Sequence, residues 1–266
     1  MSEDRRVSIV VLTHNNLAFT KECFDALAQT TDGYELVVVD NASTDGTVEY
    51  LGELDTVHPG AKVILNSGNA GFARGCNQGV EASSGDYVCL LNNDTVPFEG
   101  WLDALLDAFD EADDVGIVGA KLLLANGKLQ HCGIEFQFRA QPVPHYWPYH
   151  RYLNERADKP EANRKEDVPA VTAACLLTTR AIWDRVRGMD EGYTVANFED
   201  VDFNLKVRSR GYRVVYQPKA VLRHYWGTTV NAKKGDADSP GLYFERNYQR
   251  LMAKWNEKLA AGLASA

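Results

Sequence analysis

The chain of 266 residues reads as a single α/β unit built on a mostly parallel, doubly wound sheet. Three observations predict this. Apolar runs of strand length recur through the N-terminal third, as expected of strands buried on both faces. Segments with helical spacing alternate with them, the mark of parallel strands joined by crossover helices. Each run ends in short polar side chains, and the carboxyl edge of an open α/β sheet is where its ligands sit.

The elements follow in order. Residues 8–13 are a β-branched strand and 17–30 a helix. Residues 35–40 are a second buried strand; the turn-rich stretch 41–46 leads to a helix over 47–54. A third strand spans 61–66, a helix 72–83 and a fourth strand 87–91. Pro97 precedes a helix over 100–112. The pattern then changes. Residues 116–124 read as a strand running into a turn at Asn126-Gly127. Residues 138–167 are rich in Pro, His, Tyr, Arg and Glu, lack a period, and read as a long excursion of functional type. Core-like sequence resumes over 168–179. Short helices follow at 181–186 and 200–209, and short strands at 213–216 and 220–224. An amphipathic helix over 242–259 and a small-residue tail end the chain. No internal repeat is present.

Composition narrows the function classes. Hydrophobic residues make up 45% and charged residues 24%, enough for a full core. No apolar run approaches a membrane span. The first six residues lead into a core strand rather than a signal-peptide h-region. A net charge of −9 argues against general nucleic-acid binding, which needs a basic face. The five cysteines, at 23, 76, 89, 132 and 175, are odd in number and unclustered. Buried free thiols in a reducing compartment fit them better than disulfides or a zinc site.

The polar strand endings carry the chemistry. They are Thr13-His14-Asn15-Asn16, Asp40-Asn41, the stretch from Asn66 to Gly71, and Asn92-Asn93-Asp94. Four such endings on one edge point to a nucleotide-sized ligand. There is no Gly-x-Gly-x-x-Gly after the first strand and no Gly-Lys-Ser/Thr, so the phosphates must be held otherwise, with a metal the leading candidate. A carboxylate beside two amides, as in Asn92-Asn93-Asp94, suits a hard divalent cation; the same residues are ordinary turn formers. The run from Gly68 to Gly75 opens a helix and either sets Asn69 and Arg74 beside a nucleotide or is a flexible turn with a surface arginine.

Phe198-Glu199-Asp200-Val201-Asp202-Phe203 opens a later helix. Capping and the helix dipole account for acidic residues there. The flanking aromatics suggest instead a carboxylate facing a partly apolar cleft, where a raised pKa suits general-base work. His224 ends a strand, and a neutral imidazole there would complete a carboxylate–metal site.

With these motifs assembled, the chain resembles an inverting family 2 glycosyltransferase of the GT-A fold. It is most similar to the rhamnosyltransferase-like branch that builds bacterial surface glycans. The resemblance runs from about Val7 to Trp226. It rests on Val-Ser-Ile-Val-Val-Leu-Thr-His-Asn, Val-Val-Val-Asp-Asn-Ala-Ser-Thr-Asp-Gly-Thr, Asn-Ala-Gly-Phe-Ala-Arg-Gly-Cys-Asn-Gln-Gly, Leu-Leu-Asn-Asn-Asp-Thr, Phe-Glu-Asp-Val-Asp-Phe and the His224 segment. It implies a nucleotide-sugar-binding half over 7–115, an acceptor half over 116–241, and a C-terminal helix and tail over 242–266. Thr13, Asn15, Asp40 and Asn69 would line the nucleoside pocket, with Arg74 near base or phosphate. Asn92-Asn93-Asp94 takes the place of the family's Asp-x-Asp signature, with Asn92 facing the ribose. Asp94 and His224 would bind Mn²⁺ or Mg²⁺ on the diphosphate. Asp200 would be the general base, supported by Glu199. The departure is Asn92 in place of an aspartate, which lowers the site's charge and puts metal affinity in question.

The implied partners are a UDP- or dTDP-sugar donor and a saccharide or lipid-linked saccharide acceptor, met by peripheral contact with the inner membrane in O-antigen-type polysaccharide synthesis. The aromatic stretch 145–152 reads either as a sugar-stacking lid or as a latch on its own domain. Trp226 and Thr228-Thr229 are expected in a second segment over the site. Arg246, Arg250 and Trp255 either touch anionic lipid or pack the last helix. A sugar nucleotidyltransferase would open on a Gly-rich loop with basic residues, unlike Thr13-His14-Asn15. The alternative function is a non-catalytic binding module on a decayed transferase fold, which Asn92 favours.

Overall fold

The structure is a computed structural model and describes residues 5–109, 111–225 and 240–263, with side chains of the last stretch from Tyr243. The expected positions Trp226, Thr228 and Thr229 lie outside the described residues.

Four parallel strands form the N-terminal half: β1 (Val7–Thr13), β2 (Tyr34–Asp40), β3 (Lys62–Leu65) and β4 (Tyr87–Asn92). They lie in the order β3-β2-β1-β4, each pair in parallel register. Their carboxyl ends therefore share one edge. The crossovers are α1 (Leu17–Thr30), α2 (Thr47–Gly52) and α3 (Phe72–Ala82). Helix α3 lies very close to the sheet. A Cβ on Gly75 would stand 2.3 Å from Leu12, and one on Gly79 2.3 Å from Val10, so only glycine permits this approach.

After β5 (Thr95–Pro97) and α4 (Trp101–Phe109), the sheet is extended by β6 (Val115–Leu123), β7 (Leu129–His131), β10 (Glu166–Asp167), β11 (Cys175–Thr179) and β12 (Arg213–His224). The full order is β10-β12-β6-β11-β4-β1-β2-β3, with β5 on β12 and β7 on β6. Strand β11 runs antiparallel to both β4 and β6, which reverses the chain direction at the middle of the sheet. The core lies on both faces. Phe24, Leu27, Trp101 and Leu105 pack one face; Cys76, Val80, Trp183 and Phe203 pack the other. All five cysteines are buried and free.

Two segments differ from the sequence expectation. The excursion over 138–167 is not structureless. It starts inside a hairpin of β8 (Ile134–Arg139) and β9 (His145–His150), followed by a 3₁₀ turn at Pro160–Asn163 and by β10. The alternation Ile134-Glu135-Phe136-Gln137-Phe138 is a strand period that the Pro-rich turn beyond it obscures. The expected pair of short strands at 213–216 and 220–224 is one strand, β12, whose register on β6 slips between Gln217 and Val221. Pro218 has no N–H to donate there, so the strand bulges instead of ending.

The remaining helices are α5 (Arg180–Val186), α6 (Glu199–Arg208) and α7 (Pro240–Ala260). Helix α7 packs Tyr248, Leu251 and Trp255 against Phe198, Val201 and Leu205 of the α6 segment, with Trp147 of the hairpin alongside.

Candidate active site

A cavity of about 390 Å³ opens at the carboxyl edge of β1 and β4. Thr13, Asn92, Asn93 and Asp94 line one part of it; Glu199, Asp200 and His224 line the rest, with Trp147, Phe198 and Phe244 as an aromatic wall. Residues far apart in sequence are thus brought together as expected.

The Asp94–His224 pair is assembled by β5. That strand leaves the Asn92-Asn93-Asp94 turn and pairs with the end of β12, setting Thr95 opposite His224. The backbone N–H of Tyr225 donates to the Asp94 carbonyl at 2.9 Å. His224 Nε2 then lies 3.0 Å from Asp94 Oδ1 and 3.4 Å from Asn92 Nδ2, with both members of the pair buried. Its Nδ1 is 2.8 Å from Gln130 Oε1. An amide oxygen only accepts, so Nδ1 carries a proton, and the neutral ring would offer its Nε2 lone pair beside the carboxylate. Two lone-pair donors at that separation match adjacent ligands of an octahedral cation with bonds of about 2.1 Å. The donor set of one imidazole, one carboxylate and neighbouring amides fits Mn²⁺ or Mg²⁺. No further His, Cys, Asp or Glu completes a cluster among the described residues.

Asp200 sits in the first turn of α6. Its Oδ1 accepts from the Val201 N–H at 2.7 Å and its Oδ2 from the Ala173 N–H at 3.3 Å. Burial still pushes its pKa above the ordinary carboxylate range. Glu199 beside it is pushed much higher, by burial and then by the Asp200 charge. Its Oε2 is buried without a hydrogen-bond partner. Both carboxyls are thus pushed toward their protonated forms, Glu199 the more strongly. The backbone leading into them is left-handed at three non-glycine residues, Val195, Asn197 and Phe198, with φ of 60, 87 and 71°. Such strain persists only where the surroundings hold it. Phe72 N–H donates to the Val195 carbonyl at 2.6 Å, and Asn247 of α7 grips Thr194 and Ala196.

Several of the other expected residues are tied into the strand ends by hydrogen bonds, with Thr13 and Asn93 on the cavity wall. Buried Asp40 accepts from Thr13 Oγ1 at 2.8 Å and from the Ser43 N–H at 2.8 Å. Asn15 Oδ1 accepts from the Thr44 N–H at 2.8 Å. Asn93 Nδ2 donates to Thr20 Oγ1 at 2.8 Å. Asn69 Oδ1 accepts from the Gly71 N–H at 2.9 Å and shapes the turn into α3. Arg74 is exposed on that helix. Asn15, Asp40, Asn69 and Arg74 are not on the cavity wall.

Sequence reasoning missed Gln130 and treated His150 only as part of an aromatic stretch. Both line the cavity. The signal for Gln130 was faint: two polar residues, Gln130-His131, in an otherwise apolar return from the Asn126-Gly127 turn. His131 is fully buried, and burial drives its pKa well down. His150 is pushed down to about 4 by burial and then by His224. The aromatic stretch acts as a latch as well as a wall, since Trp147 stacks near Tyr248 at 4.9 Å and Phe198 at 6.5 Å. Trp255 Nε1 donates to buried Asp202 at 2.7 Å, and Arg250 pairs with Asp190 at 2.9 Å, so both pack the last helix.

Residues 8–131 match the Glycosyl transferase family 2 model. An uncharacterized protein of Sinorhizobium fredii is 30% identical over 94% of this chain, which spans 27% of that protein's length. An O-antigen biosynthesis protein of Myxococcus xanthus is 29% identical over 56% of the chain, which spans 12% of it. An N-acetylglucosaminyl-diphospho-decaprenol L-rhamnosyltransferase of Mycobacterium tuberculosis is 25% identical over 71% of the chain and 66% of its own length. Among solved structures, GalNAc-T7 with UDP, GalNAc and Mn²⁺ superposes with a TM-score of 0.71 at 15% identity, over 96% of this chain and 49% of that one. The mannosyltransferase of Pyrobaculum calidifontis with GDP-Man and Mn²⁺ gives 0.63 at 17% identity, over 94% and 70%. The strand endings, the acidic turn and these likenesses lead to one conclusion: the chain carries a glycosyltransferase family 2 domain over residues 8–131 and has the GT-A fold.

Proposed function

We propose that the protein transfers a sugar, with inversion, from a UDP- or dTDP-sugar to a saccharide or lipid-linked saccharide acceptor in surface polysaccharide synthesis. The observation that carries this reading is that the Asp94–His224 pair and the Glu199–Asp200 pair line one cavity. Asp94 and His224 would hold Mn²⁺ or Mg²⁺, which offsets charge building on the departing diphosphate. Asn92 would face the ribose. Thr13 and Asn93 would meet the nucleoside, with Asp40 and Asn15 holding that edge in shape; Asn69 and Arg74 would flank the base or phosphate.

Asp200 takes the proton of the acceptor hydroxyl as its oxygen attacks the anomeric carbon from the side opposite the leaving group. Its raised pKa makes it a better proton acceptor than an exposed aspartate. Glu199 would support it from the first turn of the same helix. Trp147, Phe198 and Phe244 offer apolar faces to the acceptor's C–H surfaces. No covalent intermediate is needed, so configuration inverts. A cytoplasmic enzyme meeting its acceptor at the inner membrane surface fits a chain in which no described helix is long and apolar enough to cross a membrane.

A second reading is a non-catalytic module that binds nucleotide sugars, favoured by Asn92 at a position where the family signature carries a carboxylate. Calorimetric titration with UDP, dTDP, GDP and CDP, each with Mn²⁺ and with EDTA, tests the donor site. Metal-dependent binding of one nucleotide, lost in Asp94→Ala, is expected. Failure of all four to bind overturns the donor assignment, and binding without turnover of the matching nucleotide sugars favours the module.

A further inference from the structure

We propose that the cavity between the carboxyl-terminal end of α6 and helix α7 is a second ligand site, one that binds a phosphate group. The inference is independent of the donor reading above. The cavity measures about 370 Å³, and among the described residues it shares no lining side chain with the candidate active site. From Asp200 to Ser209 the chain of α6 rises about 14 Å at about 1.5 Å per residue. The two cavities therefore meet opposite ends of that helix.

Four cations line the second cavity: Lys206 and Arg210 from the end of α6, and Lys254 and Lys258 from α7. Ser209 and the Trp255 ring are also on its wall, and among the described residues no acidic side chain is. The chain as a whole carries −9, so four cations around one hollow depart from its average surface. Two of the four are held in place. Lys254 Nζ pairs with Asp190 at 2.7 Å and with buried Asp202. Lys206 Nζ donates to the Gly188 carbonyl. Each ammonium has three protons to donate, so these bonds fix both groups and leave donors over. Lys258 and Arg210 are exposed arms, with the Lys258 ammonium 4.5 Å from the centre of the Trp255 ring. Among the described residues, Lys206, Arg210 and Lys258 have no ion-pair partner.

The helix end does not explain this charge. The carboxyl terminus of α6 carries about half a negative charge, which favours a nearby cation but does not balance three. The ligand class follows from the donors. A carboxylate brings one charge and two oxygens. A phosphate monoester brings about −1.5 to −2 and three acceptor oxygens. Ammonium groups bind it as point charges, and the Arg210 guanidinium can fork onto two of its oxygens. The volume falls within the range of about 300–1,000 Å³ of small-molecule sites, which leaves room for whatever the phosphate is attached to. A free phosphorylated molecule and a lipid headgroup both present this chemistry.

The test titrates the full chain, in EDTA, with inorganic phosphate by calorimetry, and separately with vesicles of phosphatidylglycerol or phosphatidylcholine by co-sedimentation. Binding of inorganic phosphate, or of phosphatidylglycerol but not phosphatidylcholine vesicles, is expected. Lys258→Glu and Arg210→Glu should each weaken it about tenfold or more. Both side chains are exposed, so Tm should stay within about 2 °C of wild type. Lys258→Gln and Arg210→Gln remove the charge without reversing it and should each cost severalfold. Lys128→Glu, an exposed reversal outside the cavity, and Asp94→Ala should leave binding unchanged. Phosphate binding without vesicle binding identifies a free phosphorylated ligand; vesicle binding identifies a headgroup. Failure of both probes to bind overturns the proposal, as does binding that the Arg210 and Lys258 variants leave intact. Equal loss in Lys128→Glu reduces the effect to general charge, and loss in Asp94→Ala moves the anion to the active site; either result also overturns it.

Discussion

Replacing Asn247 by alanine tests how the proposed general base, Asp200, is held in place. Asn247 is fully buried on α7. Its Nδ2 donates to the carbonyls of Thr194 and Ala196, both at 2.9 Å, and its Oδ1 accepts from the Thr194 N–H at 3.1 Å. Truncation removes all three bonds and leaves buried backbone groups unpaired. At about 1 kcal/mol net per bond, with added desolvation for orphaned groups, the cost is about 3–5 kcal/mol. For a chain of this size that lowers Tm by roughly 6–20 °C. The gripped segment leads directly into the left-handed residues Asn197 and Phe198 and then into Asp200. Freed of its clamp, it relaxes toward ordinary backbone and carries the carboxylate off line. A displacement of about 1 Å costs on the order of 10²-fold in rate. Donor affinity should hold, because Asp94 and His224 sit on other elements. The assay is a thermal melt beside steady-state kinetics, with kcat and the donor KM separated. A lowered Tm with unchanged kcat at a temperature where the variant is folded would refute the clamp.

Three further outcomes are expected. Asp200→Asn should lower kcat by about 10²–10⁴ while leaving donor affinity within about twofold, since it removes the proton acceptor and little volume; loss of donor binding instead would mean that the base is misassigned. The rate should also fall on acidification, because a base acts only when ionised. Burial raises the Asp200 pKa, so the acid limb of kcat should lie above the ordinary aspartate value of about 3.9, and a limb at or below it would exclude Asp200 as the base. Stability should carry an acid limb of its own from Glu35, lowered to about 2 because Lys62, Ser8 and the Ser84 N–H together outweigh its burial. A depressed folded pKa gives stability that is present above the unfolded value of 4.5 and is lost as pH falls toward about 2, so Glu35→Gln should flatten the melting temperature over that window.

Local sequence carried much of this protein. The four parallel strands were legible because burial on both faces writes itself as unbroken apolar runs, and their polar endings marked the ligand edge. Asn92-Asn93-Asp94 and Glu199-Asp200 stood out because a short polar group at the end of a buried strand or helix is chemically conspicuous. The β8–β9 hairpin was hidden because its apolar face packs on α7 and its turn is rich in proline. Nothing near Asn247 marked it as a clamp, since its partners are backbone groups some fifty residues earlier.

Composition and periodicity alone determined the fold class, the ligand edge and the residue types available for chemistry, because these depend on local burial and strand ends. Tertiary structure decided which residues meet. Strand β5 pairs with β12, and only that pairing sets His224 beside Asp94. The proton on His224 Nδ1 is held by Gln130, which reaches it from a third strand. Which side chains can act together is set by distances between groups remote in sequence, and those distances exist only once the sheet has formed.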